Sequence, residues 1–351
     1  MGIKLLYKKD LKRGELIEHN CALFENPTVW KFNTYMMSDL GGIQNYRILS
    51  KIGSGSFAAV SRAKHTPTGS LVAMKTIRKA KRMERFLQME IKILKTLCHP
   101  NICQLHEVIE STDSVYLVMQ LCPNRTLHEY IQTKGCLNEP TSRHFFRQIV
   151  SAVSFMHSEG YCHRDIKSHN VVLDSNMSVK LIDFGLAVEI NSTCATDVQP
   201  AGAISNMAAE VARGGEYDLE KADVWSLGVV LYQMLTSRTV FSQSNLVNLS
   251  VETILLLKQL MEMDPTKRIS CKDLLDHPWL NAPNLDIQSQ GDCLDKENLD
   301  EQCIRKMCKR YRVSQQKMKD MVAEWNFDDV TANYIMTLEK MKTQKSKCSI
   351  L

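Results

Sequence analysis

The chain has 351 residues, a net charge of +5, and 44% hydrophobic against 24% charged residues. That is long enough to bury a real core in one large or two modest domains, and the mix excludes wholesale disorder. Twelve scattered cysteines with no CxxC pair argue for reduced thiols in a cytoplasmic protein, and the slight positive balance is no footprint for nucleic acid. No apolar run approaches the length of a membrane span.

In chain order, residues 1–43 carry a basic start and no sustained period, the pattern of a poorly ordered extension. Residues 44–122 alternate short β-like runs (Tyr46 to Ile52, Leu71 to Ile77, Val115 to Met119) with one helical stretch, Lys81 to Thr96. From 123 to 280 the pattern is mostly helical, as in Thr141 to Ser158 and Asp223 to Leu235. A polar stretch, 281–299, reads as a linker. Residues 300–342 then carry three short amphipathic patterns with Ile304, Met307, Met318, Met321, Val322, Trp325, Tyr334 and Leu338 as expected core. A basic tail, 343–351, closes the chain.

The run Ile52-Gly53-Ser54-Gly55-Ser56-Phe57-Ala58-Ala59-Val60 lies between two β-like segments. Gly53 and Gly55 let a backbone approach phosphates with no Cβ in the way, although alone this is a common turn pattern. Next comes Val72-Ala73-Met74-Lys75, a β run whose lysine would be costly to bury unpaired. Glu90, on the following helical stretch, offers a partner. Such a pair serves structure as well as chemistry. Bonding to α- and β-phosphates would explain why a strand lysine points into a cleft.

A second cluster is far more specific. His163-Arg164-Asp165-Ile166-Lys167-Ser168-His169-Asn170 is followed by Asp183-Phe184-Gly185, just after the strand-like Val179 to Ile182. Phosphoryl transfer asks little covalent help of a protein; it asks for cations on the phosphates and an aligned hydroxyl. Asp165 suits the acceptor of a hydroxyl proton, Asn170 and Asp183 suit ligands for Mg2+, and Lys167 suits charge neutralisation on the transferring phosphate.

These residues resemble a eukaryotic protein kinase over about residues 46–280. The resemblance implies an α+β, bilobal fold, with a β-rich N-lobe to about residue 122 and a helical C-lobe. ATP would lie between the lobes on Ile52, Gly53, Ser54, Gly55, Ser56, Phe57, Ala58, Val60, Ala73, Lys75, Met119, Gln120, Cys122 and Leu173. Met119 takes the gatekeeper position, and Leu94, Leu105, Phe184 and His163 would stack as a regulatory spine, though each apolar member is equally explained as core. Asp223 would brace the catalytic loop and Arg268 would pair with Glu210. Phrases such as Asn101-Ile102-Cys103-Gln104-Leu105 and Lys180-Leu181-Ile182-Asp183-Phe184-Gly185-Leu186 are similar to the maternal embryonic leucine zipper kinase family, in the AMP-activated-kinase-related branch of serine/threonine kinases. The stretch Glu324-Trp325-Asn326-Phe327-Asp328-Asp329-Val330 resembles that family's ubiquitin-associated-like domain, which implies an intramolecular contact with the kinase lobes. Protein substrates, ATP and Mg2+ follow as implied partners and cofactors.

Departures from the family pattern fall on the substrate side. The activation segment ends Gly202-Ala203-Ile204-Ser205-Asn206-Met207-Ala208-Ala209-Glu210, so Ala203 loses a hydroxyl expected to bond Asp165 and Lys167. Asn206 stands for a tyrosine and Ala209 for a proline. Gln199 occupies the usual activating phosphosite, leaving Thr193 or Thr196 as substitutes. Thr126 and His169 replace two glutamates that favour basic substrates, and the stretch from Phe241 to Asp264 is shorter than the family pattern. Two readings follow: an active serine/threonine kinase with altered substrate choice, or an ATP-binding pseudokinase that acts as a scaffold or allosteric partner. At the end, Cys348-Ser349-Ile350-Leu351 fits a prenylation signal behind four lysines (Lys340, Lys342, Lys345, Lys347), which would add a membrane surface as a partner.

Overall fold

The computed structural model describes residues 43–54, 58–80, 84–190, 203–238, 246, 248–282, 294 and 296–348; the side chains of Ile204 and 345–348 are outside that description. Gly55, Ser56, Phe57, Thr193, Thr196 and Gln199 therefore lie outside the described residues. An N-terminal lobe is built from strands β1 (Tyr46–Ser54), β2 (Ala58–His65) and β3 (Leu71–Arg78), helix α1 (Glu84–Thr96), then β4 (Leu105–Glu110) and β5 (Ser114–Gln120). The strands form one antiparallel sheet in the order β1-β2-β3-β5-β4.

Strand alternation gives this sheet two apolar faces. On β3, Val72 and Met74 join Tyr46, Ala63, Ile109 and Val118 on one face, while Ile77 belongs with Leu105, Val115 and Leu117 to the core on the other. Lys75 shares the parity of Ile77 and so turns toward the second face. Helix α1 buries Leu87, Glu90, Ile91 and Leu94, the three- and four-residue spacing of a single helical stripe. Glu90 is thereby carried inward with the apolar residues.

The larger lobe contains α2 (Leu127–Lys134), α3 (Glu139–Ser158), short strands β6 (Tyr161–Cys162), β7 (Val171–Leu173), β8 (Val179–Leu181) and β9 (Val188–Glu189), then α4 (Ala209–Arg213), α5 (Leu219–Thr236), α6 (Val251–Leu260) and α7 (Cys271–Leu275). Each long helix starts at a side-chain cap: Asn138 accepts from the Thr141 amide, Asp218 from Lys221 and Ser250 from Thr253. Helix α5 is buried on nearly every side, as suits the centre of a helical lobe. Gly228 makes room for α6: a Cβ there would lie 2.8 Å from Met261 Cγ and 2.9 Å from Leu260 Cβ.

Three further helices follow, α8 (Glu301–Tyr311), α9 (Gln315–Ala323) and α10 (Asp329–Cys348). All the core residues expected here are buried except Met321, which is half-buried; Cys303, Phe327, Ala332, Ile335, Met336 and Met341 join them. Helix α10 runs on to Cys348 through much of the stretch expected as a separate tail, because nothing in Met341 to Lys347 breaks a helix. The 281–299 segment is not wholly a free linker, since Leu294 and Leu299 pack on the core and the Lys296 ammonium lies 5.5 Å from the Trp325 ring centroid. Among the described residues, no helix is long and apolar enough to cross a membrane.

Helix α10 also covers the outer face of the N-lobe sheet. Its Ala332 and Met336 are buried against the Val72–Met74 face. Around them the Val108 amide donates to Phe327 O at 2.9 Å, Asn45 Nδ2 donates to Asp329 Oδ1 at 2.9 Å, and Arg310 and Lys340 donate to the Pro67 and Thr68 carbonyls. Tyr46 donates its hydroxyl to buried Glu107 at the same junction. The helical domain and the N-lobe thus share one apolar layer bordered by these hydrogen bonds.

Candidate active site

The sheet register brings the phosphate-side residues together. Val60 pairs with Lys75 across β2 and β3, and Ala73 pairs with Met119 across β3 and β5. Ile52 is exposed, Ala58 and Val60 are half-buried above the cleft, and Leu173 is buried on β7 below it. Met119 and Gln120 end β5, with Cys122 half-buried two residues on. Gly53 and Ser54 close β1.

Lys75 Nζ lies 2.5 Å from Glu90 Oε1 and 2.9 Å from Asp183 Oδ1. One ammonium therefore links the N-lobe sheet, helix α1 and the segment after β8. Burial pulls this ammonium's pKa down, but the two carboxylates outweigh it and hold it above the ordinary value. Asp183 is affected inversely: burial raises its carboxyl, and the Lys75 charge more than offsets this, leaving it below the usual carboxylate range. It is exposed to the cleft and adopts φ 66°, in the left-handed region a non-glycine residue rarely enters. Such strain is held in place by its surroundings and is common at functional sites.

Asp165 is 7% exposed and is held from several sides. Lys167 Nζ donates to Oδ2 at 2.5 Å, Asn170 Nδ2 donates to Oδ2 at 2.9 Å and to the Asp165 carbonyl at 2.8 Å. The fold of this loop depends on Asp223. Its Oδ2 accepts the His163 amide at 2.8 Å and its Oδ1 accepts the Arg164 amide at 2.9 Å, and Arg164 takes φ 64° to present that group. His163 in turn donates Nε2 to Ile182 O at 3.2 Å and rests 5.2 Å from the Phe184 ring centroid. Leu94, Leu105, His163 and Phe184 are all buried.

The Asn170 amide nitrogen is spent on Asp165, which leaves its carbonyl oxygen. Asp183 gives one oxygen to Lys75 and keeps the other. Hard oxygen donors on an exposed, ionised carboxylate and an amide fit Mg2+ in company with phosphate oxygens.

On the acceptor side the backbone takes over part of what missing side chains would do. The Ala203 amide donates to Asp165 Oδ1 at 3.1 Å. Asn206 Nδ2 donates to Ile166 O at 3.2 Å, and the Asn206 carbonyl accepts the Ser226 hydroxyl at 2.9 Å. Arg268 is fully buried and meets both Glu210 oxygens, at 2.6 and 3.2 Å. Thr126 caps α2 in a reciprocal box with Glu129, and the His169 ring stacks on His128 with centroids 3.8 Å apart. Neither side chain is a carboxylate. His157, which no motif marks, lies with Nε2 3.0 Å from Asp223 Oδ2; a single histidine near a helix end carries no local signal.

Residues 46–280 match the protein kinase domain family, and residues 299–341 match the ubiquitin-associated domain of maternal embryonic leucine zipper kinase. The chain is 35% identical over 318 residues to maternal embryonic leucine zipper kinase of Danio rerio, covering 86% of this chain and 47% of that protein. The Xenopus tropicalis protein of that name is 34% identical over 317 residues, with 85% and 48% covered. An Arabidopsis thaliana SNF1-related protein kinase catalytic subunit alpha KIN12 is 36% identical over 282 residues, with 73% and 57% covered. The chain thus spans about half the length of the curated relatives it matches. Its kinase domain, its ubiquitin-associated domain and these identities place it in the protein kinase family, as an AMP-activated-kinase-related serine/threonine kinase of the maternal embryonic leucine zipper kinase type.

Proposed function

We propose that the chain transfers the γ-phosphate of ATP to serine or threonine hydroxyls of protein substrates. The observation that carries this reading is the Lys75 bridge, 2.5 Å to Glu90 and 2.9 Å to Asp183. It aligns the residues of both lobes that phosphates require. In this reading the glycine-rich turn from Ile52 to Val60, with Ala73, Met119, Gln120, Cys122 and Leu173, encloses the nucleotide. Lys75, oriented by Glu90, contacts the α- and β-phosphates. Mg2+ held by Asn170 and Asp183 supplies charge neutralisation across the phosphates. Asp165 orients the acceptor hydroxyl and takes its proton, while Lys167 stands beside it to balance charge on the moving phosphoryl group.

The division of labour among segments belongs to the same proposal: a kinase domain at 44–280 and a helical domain at 300–342 that braces the outer sheet face. The test is phosphotransfer by the purified protein with Mg-ATP and generic protein acceptors, beside Asp165→Asn. Loss of a positioned base costs about 10²- to 10⁴-fold, so activity should fall by that much while ATP binding persists.

A specific observation favours the pseudokinase reading as a second possibility. Both Asp165 oxygens are engaged, Oδ1 by the Ala203 amide and Oδ2 by Lys167 and Asn170. If wild type and variant are equally silent while both bind ATP, that reading replaces the first.

A further inference from the structure

A cavity of about 540 Å3 opens where the kinase domain meets the helical domain. That is within the range of about 300–1,000 Å3 usual for ligand pockets, which favour domain interfaces. Leu94, Leu97 and Leu105 of the kinase domain and Trp325, Phe327 and Leu338 of the helical domain line it. None of the six is more than 9% exposed, so they make an apolar floor. The polar lining is cationic: Lys95, Lys180, Lys296 and Lys342 stand against two carboxylates, Asp174 and Glu339. Of the residues assigned to ATP only Gln120 also lines the cavity, and Lys75, Asp165, Asn170 and Asp183 are not among its walls. The phosphotransfer reading leaves it without a role.

Two observations point to the chemistry of a ligand. The Lys95 ammonium lies 5.8 Å from the Phe327 ring centroid, and the Lys296 ammonium lies 5.8 Å from that ring and 5.5 Å from the Trp325 ring. Among the described residues, neither ammonium meets a carboxylate. Two like charges are thus gathered around one aromatic ring, and an anion placed between them is attracted by both. The second observation is in the backbone. Trp325 and Phe327 take φ 49° and 54°, a left-handed region that bulky residues rarely enter. Strain of this kind clusters at ligand clamps.

We propose that this cavity binds a small anionic amphiphile. Its aromatic or acyl body packs on the floor beside Trp325 and Phe327, and its carboxylate, sulfonate or phosphate end meets Lys95 and Lys296. Both domains supply walls, so occupancy strengthens the contact between them.

The test uses the full chain and anilinonaphthalene sulfonate, an anionic aromatic probe that fluoresces in apolar surroundings. It is titrated with and without saturating Mg-ATP. One saturable site that persists with Mg-ATP is expected. Lys95→Glu and Lys296→Glu should each raise the dissociation constant at least about tenfold. Lys272→Glu, exposed on α7, should leave it unchanged. Phenylnaphthylamine, the same body without the sulfonate, should bind at least about tenfold more weakly. The probe should also shield half-buried Cys98, which lines the cavity, from iodoacetamide, but not exposed Cys136. ATP binding shows that each variant is folded, and should one not fold, the other decides. No saturable binding, equal binding by all variants, or an unshielded Cys98 overturns the proposal. Loss of the saturable phase with Mg-ATP also overturns it, by placing the probe in the nucleotide cleft. None of these readouts needs phosphotransfer, so failure here leaves the proposed function standing.

Discussion

The two sides of the cleft are built by different means. On the phosphate side, charged side chains carry the geometry: Lys75 reaches Glu90 and Asp183, and Asn170 and Lys167 hold Asp165. On the acceptor side, a main-chain amide and a side-chain amide stand in for an absent hydroxyl and phenol, through Ala203 N and Asn206. The contrast shows which features tolerate substitution. A cation beside a polyphosphate has no backbone equivalent, whereas a hydrogen bond that only positions a loop can be made by an N–H from the main chain.

The largest expected effect lies where the acceptor side departs from that rule. Arg268 is a buried cation with Glu210 as its carboxylate partner, so Arg268→Ala strands a buried charge and should cost about 3–5 kcal/mol. Chemical denaturation reads this directly, and an unchanged midpoint would show that the segment closing on Glu210 does not depend on the pair. Next comes Lys75→Met on the phosphate side. It leaves Glu90 and Asp183 facing each other and should lower phosphotransfer by about 10²- to 10³-fold, as for other preorganised charge stabilisers. Retained activity would mean that the Lys75 bridge is structural only.

Asn206→Ala should be milder. It removes the donor to the Ile166 carbonyl, leaving a buried acceptor unmet at about 1–3 kcal/mol. If denaturation shows no loss, Asn206 is a passive occupant. Smallest of all is Ala203→Ser. One added hydrogen bond is worth about 0.5–1.5 kcal/mol, or at most about tenfold in rate. A gain larger than that in steady-state kinetics would show that the acceptor side is chemically incomplete in a way the backbone does not repair.

Much of the phosphate side was legible in the residues. Lys75 and Glu90 could be paired because a strand lysine is costly to bury alone and the next helical stretch offers a carboxylate, and the His163 to Asn170 run is dense in charge that a plain loop does not need. The limits of helices were read less well. Capping residues Asn138 and Asp218 set earlier starts for α3 and α5 than apolar periodicity alone suggests, since the first turn of a helix is usually polar. Thr126, expected as a change on the substrate side, also accepts from the Glu129 amide to cap α2. Ala203 looked like a simple deletion; no side-chain pattern announces that its own amide meets Asp165.

Local residue order sets the chemistry available along each stretch: the lysine on a strand, the acidic and amide donors of the catalytic loop, and the apolar stripes of the helices. Spacing decides these, because a side chain's direction within one strand or helix follows from its backbone. Which stripes meet is settled by packing between distant segments. The parity of β3 says that Val72 and Met74 form an apolar face, but not that Ala332 and Met336 of α10 cover it. Nor does spacing bring Asp223 to the imidazole of His157, 66 residues earlier. Burial of apolar area is non-directional, so long-range partners are selected by the packing of the whole chain.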